Sequence, residues 1–128
     1  MSTDSHFVHL AWHREEPGLR NVKYSMGADR SGEVSRLFGV WDPVSGEDYR
    51  GTFIIDPDSV LRSMEINLNS VGRNMDELMR KFKAFLHVTK HPKTDCPSKW
   101  KDEGDPTLQA SPKLVGKVYD QDGKLQGS

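Results

Sequence analysis

Apolar and polar positions between residues 49 and 66 alternate and cluster in a way that predicts a β-hairpin. The predicted hairpin consists of a strand at 50–56, a tight turn at 57–59 and a returning strand at 60–66. Pro57 favours the turn because its ring fixes a backbone angle that turns require. Phe53, Ile54 and Ile55 are consecutive and apolar, so we expect the first strand to be covered on both faces, as in the centre of a layered sheet.

Helical spacing of apolar residues is clearest after the hairpin. It predicts a helix from Met75 to about His87 with acidic residues in its first turn, which suits the helix dipole. The apolar stripe of this helix comprises Met75, Leu78, Met79, Phe82, Phe85 and Leu86. His87 and His91, four residues apart at its end, are expected to interact with the terminal carbonyls.

Two shorter helices are predicted nearer the N-terminus. The first begins near residue 4, is capped by Ser2, Thr3 or Asp4, and ends at residues 15–18. Its buried stripe is expected to consist of Phe7, Leu10 and Ala11, extended by Trp12. The second is capped by Asp29 or Ser31 and ends at Gly39, and its inward residues are expected to be Val34, Leu37 and Phe38.

The remaining segments complete a mixed α/β pattern. Residues 22–26 are predicted to form a short strand, and residues 41–48 are predicted to form a loop. The four prolines after residue 91 indicate an extended tail without a core of its own. A helix at residue 4 with no strand before it, and a buried hairpin with few neighbours, indicate the latter part of an α/β layer whose first strands are absent.

Composition narrows the classes of function. The 18 Lys and Arg residues nearly balance the 19 Asp and Glu residues, so no overall charge attracts nucleic acid or an anionic membrane. No run of 18 apolar residues is present, so we expect no membrane span. The single cysteine, Cys96, excludes an internal disulfide and favours a reducing, cytoplasmic location.

Cys96 is the first residue with candidate chemistry. It follows a predicted helix rather than beginning one, and Asp95 disfavours its thiolate while Lys93 and Lys99 partly offset this effect. The thiol is therefore poorly suited to attack a peroxide directly. A thiol exposed on a tail suits attack on an already oxidised sulfur of a partner, and the alternative is an incidental surface cysteine.

Other candidates are basic. Arg50 enters the predicted buried strand, and an always-charged guanidinium there can lower a thiol pKa or polarise a peroxide bond. Arg73 lies in the polar linker at 67–74. The alternative is that each is a surface arginine paired with a carboxylate. His6, His9 and His13 share a helix face, for which we favour a solvated face over a zinc site because no further ligand is suitably spaced.

Four motifs in register resemble the typical 2-Cys peroxiredoxins, most closely the bacterial alkyl hydroperoxide reductase C subunit. These motifs are the segments 2–12, 49–56, 71–73 and 95–100, the last of which contains Asp95, Cys96, Pro97 and Trp100. The resemblance implies an α/β, incomplete thioredoxin-like (peroxiredoxin) fold with three layers and an extended C-terminal tail. It divides the chain into a partial peroxiredoxin domain, residues 1–90, and a tail with the resolving cysteine, residues 91–128.

The resemblance also implies a function. Peroxiredoxins reduce hydrogen peroxide and organic hydroperoxides through thiols, and a thioredoxin or a flavoprotein disulfide reductase restores them. Cys96 matches the resolving cysteine, which forms an intersubunit disulfide, and Arg50 and Arg73 match active-site arginines. The implied partners are hydroperoxide substrate and peroxiredoxin subunits, in a homo-oligomer or with a full-length partner. From the residues themselves we expect no cofactor, no metal, and no nucleic-acid or membrane partner.

One departure from the family is large, because its Phe-x-x-Cys-Pro peroxidatic motif has no counterpart in these 128 residues. We therefore expect a truncated chain, a split-gene product or a fragment that is inactive alone. The alternative function is that of a non-catalytic assembly or redox-partner protein that associates with a full-length peroxiredoxin.

Overall fold

Residues 1–120 and 122–125, which the computed structural model describes, form three α-helices and two small antiparallel sheets. In order these are α1 (His6–Glu15), α2 (Glu33–Leu37), β1 (Trp41–Asp42), β2 (Glu47–Asp48), β3 (Arg50–Ile55), β4 (Leu61–Asn67) and α3 (Met75–Lys90). Single 3-10 turns lie at Pro17–Leu19 and Pro112–Leu114. The chain divides into two compact units, the first ending at Gly72 and the second beginning at Arg73. The domain boundary predicted at residue 90 stays a prediction.

The predicted hairpin is confirmed as β3 and β4, which pair antiparallel from Arg50 opposite Asn67 onwards. Asp56 builds the turn, since its Oδ1 accepts backbone hydrogen bonds from Asp58 and Val60, both at 2.9 Å. Its other carboxylate oxygen accepts a bond from Arg62 Nε at 2.6 Å. These contacts hold the pKa of Asp56 below its usual range, with the Val60 bond as the main cause.

The prediction that the first strand of the hairpin is covered on both faces is wrong for this structure. Phe53 and Ile54 are half-buried, but Ile55 is 48% exposed and Met64 on β4 is 58% exposed. Within the described residues β3 and β4 form a sheet of two strands, and two strands have no neighbours to cover their faces.

Helix α1 forms where predicted, but its cap and its buried face differ from the prediction. Ser5 caps it, with Oγ accepting a bond from the Val8 N–H at 3.2 Å. Phe7 is 70% exposed, and the other residues of the predicted stripe are exposed too. The buried residue is His9, whose Nε2 lies 2.7 Å from Ser2 Oγ, so α1 buries a hydrogen-bonded histidine instead of the predicted apolar stripe.

Helix α2 is also confirmed, with a different start. Gly32 occupies the N-cap in the left-handed conformation, while the buried Asp29 accepts bonds at Oδ2 from the N–H and the hydroxyl of Ser35, at 2.8 and 2.7 Å. The hydroxyl bond is the main cause of the lowered pKa of Asp29. Leu37, predicted to face inward, is 80% exposed, because the short helix turns Ser35 toward the interior instead.

Two segment predictions in the first unit are corrected. Residues 22–26 form no strand, and the only pairing nearby is an isolated parallel bridge between Ser2 and Ala28. Residues 41–48, predicted as a loop, contain β1 and β2 joined by a tight turn in which Asp42 accepts a bond from the Val44 N–H. Val40, just before β1, is the buried hydrophobic residue of this unit.

The second unit consists of α3 and the tail. Helix α3 begins at the predicted residue, is capped by Asn74 and continues three residues beyond His87. Its apolar stripe is only partly covered, as Leu78 and Phe85 are half-buried while Met75, Met79, Phe82 and Leu86 are exposed. Within residues 91–120 and 122–125 the tail has no α-helix or strand, but Trp100 is 2% exposed and anchors it.

Candidate functional site: the Cys96 loop

Cys96 lies on a loop, residues 95–108, that we call the Cys96 loop. Its two ends are joined by an antiparallel bridge in which Asp95 and Leu108 exchange backbone hydrogen bonds of 2.7 and 2.9 Å. Inside the loop, the Trp100 N–H donates to the Pro97 carbonyl at 2.9 Å, which makes a turn directly after the cysteine. The thiol is therefore held by local structure, half-buried and without a disulfide partner.

Arg80 on α3 fastens the Cys96 loop to the helix. Its Nε and Nη2 donate to the two carboxylate oxygens of Glu77 at 2.6 and 2.9 Å, and its Nη1 donates to the Trp100 carbonyl at 3.1 Å. A guanidinium held in a bidentate pair has a fixed orientation. Arg80 is therefore positioned by Glu77 to hold the loop at Trp100.

The environment of Cys96 raises the pKa of its thiol. Burial is the main cause, the positive charge of Arg80 acts in the opposite direction, and Asp95 adds to the rise. The sequence correctly indicated the effect of Asp95, but it assigned the compensating charge to Lys93 and Lys99 rather than to Arg80. The spacing of Glu77 and Arg80 on a helix predicts their ion pair, but nothing in the sequence brings Arg80 to Cys96.

The indole of Trp100 provides the apolar anchor of the Cys96 loop. It contacts the imidazole of His87 on α3, with ring centroids 5.3 Å apart. Lys83 on α3 forms a short salt bridge with Asp102, and Asp105 Oδ2 accepts the N–H groups of Lys101 and Asp102 at 2.7 and 3.1 Å. Together these contacts order a segment that the sequence describes only as an extended tail.

The two predicted arginines lie in different units. Arg50 begins β3, is exposed, and donates from Nε to the Asn69 carbonyl at 2.7 Å. Arg73 is exposed and directly precedes Asn74, the cap of α3. The catalytic roles of Arg50, Arg73 and Cys96 stay predictions.

The histidines behave differently from the sequence interpretation. His9 is buried against Ser2, His13 Nε2 lies 3.3 Å from the Val22 carbonyl oxygen, and the His6 ring contacts Phe7. A fully solvated face is therefore wrong for His9. Among the described residues, the group able to hold a metal ion is instead His87, His91 and Glu103.

The backbone of this chain superposes on solved peroxiredoxin structures. Enterococcus faecalis AhpC aligns with a TM-score of 0.69 and 44% identity over 75% of this chain and 57% of its own. The reduced 2-Cys peroxiredoxin of Plasmodium vivax gives a TM-score of 0.78 at 25% identity over 88% of this chain and 58% of its own. The fold is therefore a partial peroxiredoxin (thioredoxin-like) fold.

Sequence comparison specifies the family. Residues 1–64 match the AhpC/TSA family, and alkyl hydroperoxide reductase C of Staphylococcus epidermidis is 47% identical over 118 residues. The chain belongs to the AhpC/TSA family. The alignment covers 92% of this chain and 62% of that relative.

No helix within residues 1–120 and 122–125 has both the length and the apolar character needed to cross a bilayer.

Proposed function

We propose that this chain supplies the resolving thiol of an alkyl hydroperoxide reductase C-type peroxiredoxin. Hydrogen peroxide or an organic hydroperoxide would first oxidise a cysteine of a peroxiredoxin subunit to a sulfenic acid. Cys96 would then attack the sulfur of that sulfenic acid, forming an S–S bond while the S–O bond breaks. The departing hydroxide takes up a proton and leaves as water, so the product is a disulfide between the two chains.

The observation that carries this proposal is the surroundings of Cys96. Its pKa is raised by burial, and the nearby Asp95 opposes ionisation. A cysteine that reacts first with peroxide requires the opposite, a thiol whose pKa is lowered. A resolving thiol does not need a lowered pKa to the same degree, because the sulfur that it attacks is already electrophilic.

The ordered loop supports the same role. Arg80 holds Trp100, four residues after the cysteine, while the Asp95–Leu108 bridge closes the loop. Among the described residues, the loop is held on α3 by the Arg80 bond, one buried indole and the exposed Lys83–Asp102 ion pair, so it can separate from α3 at modest cost and deliver Cys96 to another subunit. Arg50 and Arg73 would contribute positive charge near the peroxide in the assembled enzyme.

The remaining partners follow from the same proposal. A thioredoxin or a flavoprotein disulfide reductase would reduce the interchain disulfide with its own dithiol, returning Cys96 to the thiol. The lone cysteine among 128 residues favours a cytoplasmic, reducing location.

A second candidate function is favoured by the exposed apolar surface. Phe7, Leu10 and Trp12 on α1 and Met64 on β4 are all more than half exposed. Such surfaces commonly mark protein contacts, so the chain could act as a non-catalytic assembly partner of a full-length peroxiredoxin.

The experiment mixes this chain with a full-length alkyl hydroperoxide reductase C whose own resolving cysteine is replaced by serine. After one equivalent of hydrogen peroxide, we expect a mixed disulfide on a non-reducing gel, which dithiothreitol removes. The matched control is Cys96→Ser, which should associate equally well but form no disulfide.

The two candidate functions give different results. A peroxide-dependent disulfide that needs Cys96 supports the resolving role. A complex detected by light scattering in which Cys96 stays reduced contradicts that role and supports the assembly partner. Failure to associate contradicts both.

A further inference from the structure

We propose that His87, His91 and Glu103 form a binding site for a divalent transition-metal ion of the zinc type. Each residue offers one ligand atom, and these three atoms all lie within 4.8 Å of one another. The site is independent of the resolving role proposed for Cys96. It connects the C-terminal end of α3 with the Cys96 loop, both of which belong to the second unit.

The two histidines are brought together by helix geometry. His87 lies in the last turn of α3 and His91 caps its end, so residues four apart share one face. Their ring centroids are 4.6 Å apart. Both imidazoles therefore reach the same point beside the helix without any change in the backbone.

Glu103 is brought to this point by the packing of the Cys96 loop. Trp100 is buried against His87, and the Lys83–Asp102 salt bridge holds the residue before Glu103 against α3. A cavity at this place is lined by His87, Trp100, Asp102 and Glu103 together with lysines and Leu86. Because Glu103 is sixteen residues after His87, only the folded loop makes the group.

A second observation points to a ligand here. Nδ1 of His87 is buried and has no hydrogen-bond partner. A buried polar atom without a partner costs free energy, and a metal ion bound at that nitrogen would supply the missing interaction. The sequence prediction that His87 contacts the terminal carbonyls does not account for this atom.

The ligand types select the class of metal. Two imidazole nitrogens and one carboxylate oxygen suit zinc and its neighbours, whereas magnesium and calcium prefer oxygen ligands alone. Ligand atoms around tetrahedral zinc lie about 3.3 Å apart, given bonds of about 2 Å. His91 and Glu103 are exposed, so their side chains have room to rotate toward a bound ion.

The local charges are compatible with a cation. Lys83 and Lys90 line the same cavity, but Lys83 is paired with Asp102. Lys90 is the last residue of α3 and is exposed, so its long side chain can turn toward water when a metal binds.

The test is a titration of the 128-residue chain with Zn²⁺ against a chromophoric chelator, in a Cys96→Ser background that removes the thiol as a ligand. We expect one ion per chain, no displacement by excess Mg²⁺, and visible absorption bands of four-coordinate Co²⁺ when cobalt replaces zinc. His91→Gln and Glu103→Gln should each weaken binding by at least about tenfold.

His6→Gln is the matched control, because it removes an exposed imidazole in the first unit and should leave the affinity unchanged. Both test positions are exposed, so circular dichroism should show helix content equal to that of the parent. Absence of saturable zinc binding overturns the proposal. It is also overturned if His91→Gln or Glu103→Gln binds zinc with the same affinity as the parent, or if His6→Gln binds zinc more weakly than the parent.

Discussion

At the scale of single residues, Gly32 and Gly39 have the same backbone conformation in very different surroundings. Their φ angles are +66° and +70°, in the left-handed region that side chains disfavour. A Cβ added at Gly32 would lie 2.6 Å from the Trp41 ring, whereas one at Gly39 would meet nothing within 4 Å. The guanidinium of Arg36 also contacts the Trp41 ring, with its central carbon 4.4 Å from the ring centroid.

Gly32→Ala should therefore destabilise the chain much more than Gly39→Ala. Gly39→Ala adds backbone strain alone, about 1 kcal/mol. Gly32→Ala adds the same strain and must also displace the Trp41 ring, for a total of about 3 kcal/mol. Urea unfolding followed by circular dichroism measures the free energy of unfolding of both variants. Equal decreases would show that the contact with Trp41 does not contribute to stability.

The Cys96 thiol provides a second prediction at this scale. Since burial raises its pKa, alkylation by iodoacetamide should reach half its maximal rate at a higher pH than in the urea-unfolded chain. Arg80→Met removes the positive charge that favours the thiolate, so the midpoint should move to still higher pH. Arg80→Lys keeps that charge and should move it less.

The matched control for this prediction is Arg62→Met, which breaks an arginine–carboxylate pair with Asp56 in the first unit. The midpoint of Cys96 alkylation should not change in this variant. A midpoint that falls in Arg80→Met would contradict this prediction and show that release of the loop, which reduces the burial of Cys96, outweighs the loss of the charge.

At the scale of elements, Trp100 decides whether the Cys96 loop stays on α3. Among the described residues, Trp100 is the large side chain that is fully buried. Lys83–Asp102 is an exposed ion pair, which contributes little by itself. The loop is therefore held chiefly by apolar burial and by the Arg80 bond to the Trp100 carbonyl.

Trp100→Ala should cost about 3 kcal/mol of stability, because the loop loses its apolar anchor and opens more often, with or without global unfolding. In either case Cys96 should be alkylated faster at a fixed pH, because the burial that raises its pKa is lost. Trp12→Ala is the control, since Trp12 is 54% exposed and should cost less than about 0.5 kcal/mol. Unchanged alkylation in Trp100→Ala would show that the indole does not hold the loop.

At the scale of the whole molecule, much apolar surface has no cover among the described residues. The buried hydrophobic residues there are Val40 and Trp100, while α1, β4 and α3 expose most of theirs. Apolar faces of this kind are usually covered in a folded protein. Their exposure here is consistent with the observation that the chain spans 62% of the length of its relative from Staphylococcus epidermidis.

The purified 128-residue polypeptide should not turn over hydrogen peroxide. Its single thiol has a raised pKa, which disfavours the thiolate that attacks peroxide. Peroxide consumption with dithiothreitol as reductant should equal that of Cys96→Ser. A rate well above this control would assign Cys96 the first oxidation step and contradict the proposed resolving role.

The sequence by itself determined the elements whose causes are local. The β3–β4 hairpin follows from its apolar run and from Pro57 and Asp56, and α3 follows from its stripe and first-turn charges. The motifs around Arg50 and Cys96 were enough to identify the family. These features depend on residues close together in the chain, so no tertiary information was needed.

Only the tertiary structure decided which faces are covered and which distant groups meet. The apolar stripe of α1 is exposed and His9 is buried, because burial depends on what packs against a helix rather than on its periodicity. Arg80 acts on Cys96, and Glu103 approaches His87, because the loop folds back onto α3. Contacts between residues so far apart in the chain leave no spacing that a sequence pattern can reveal.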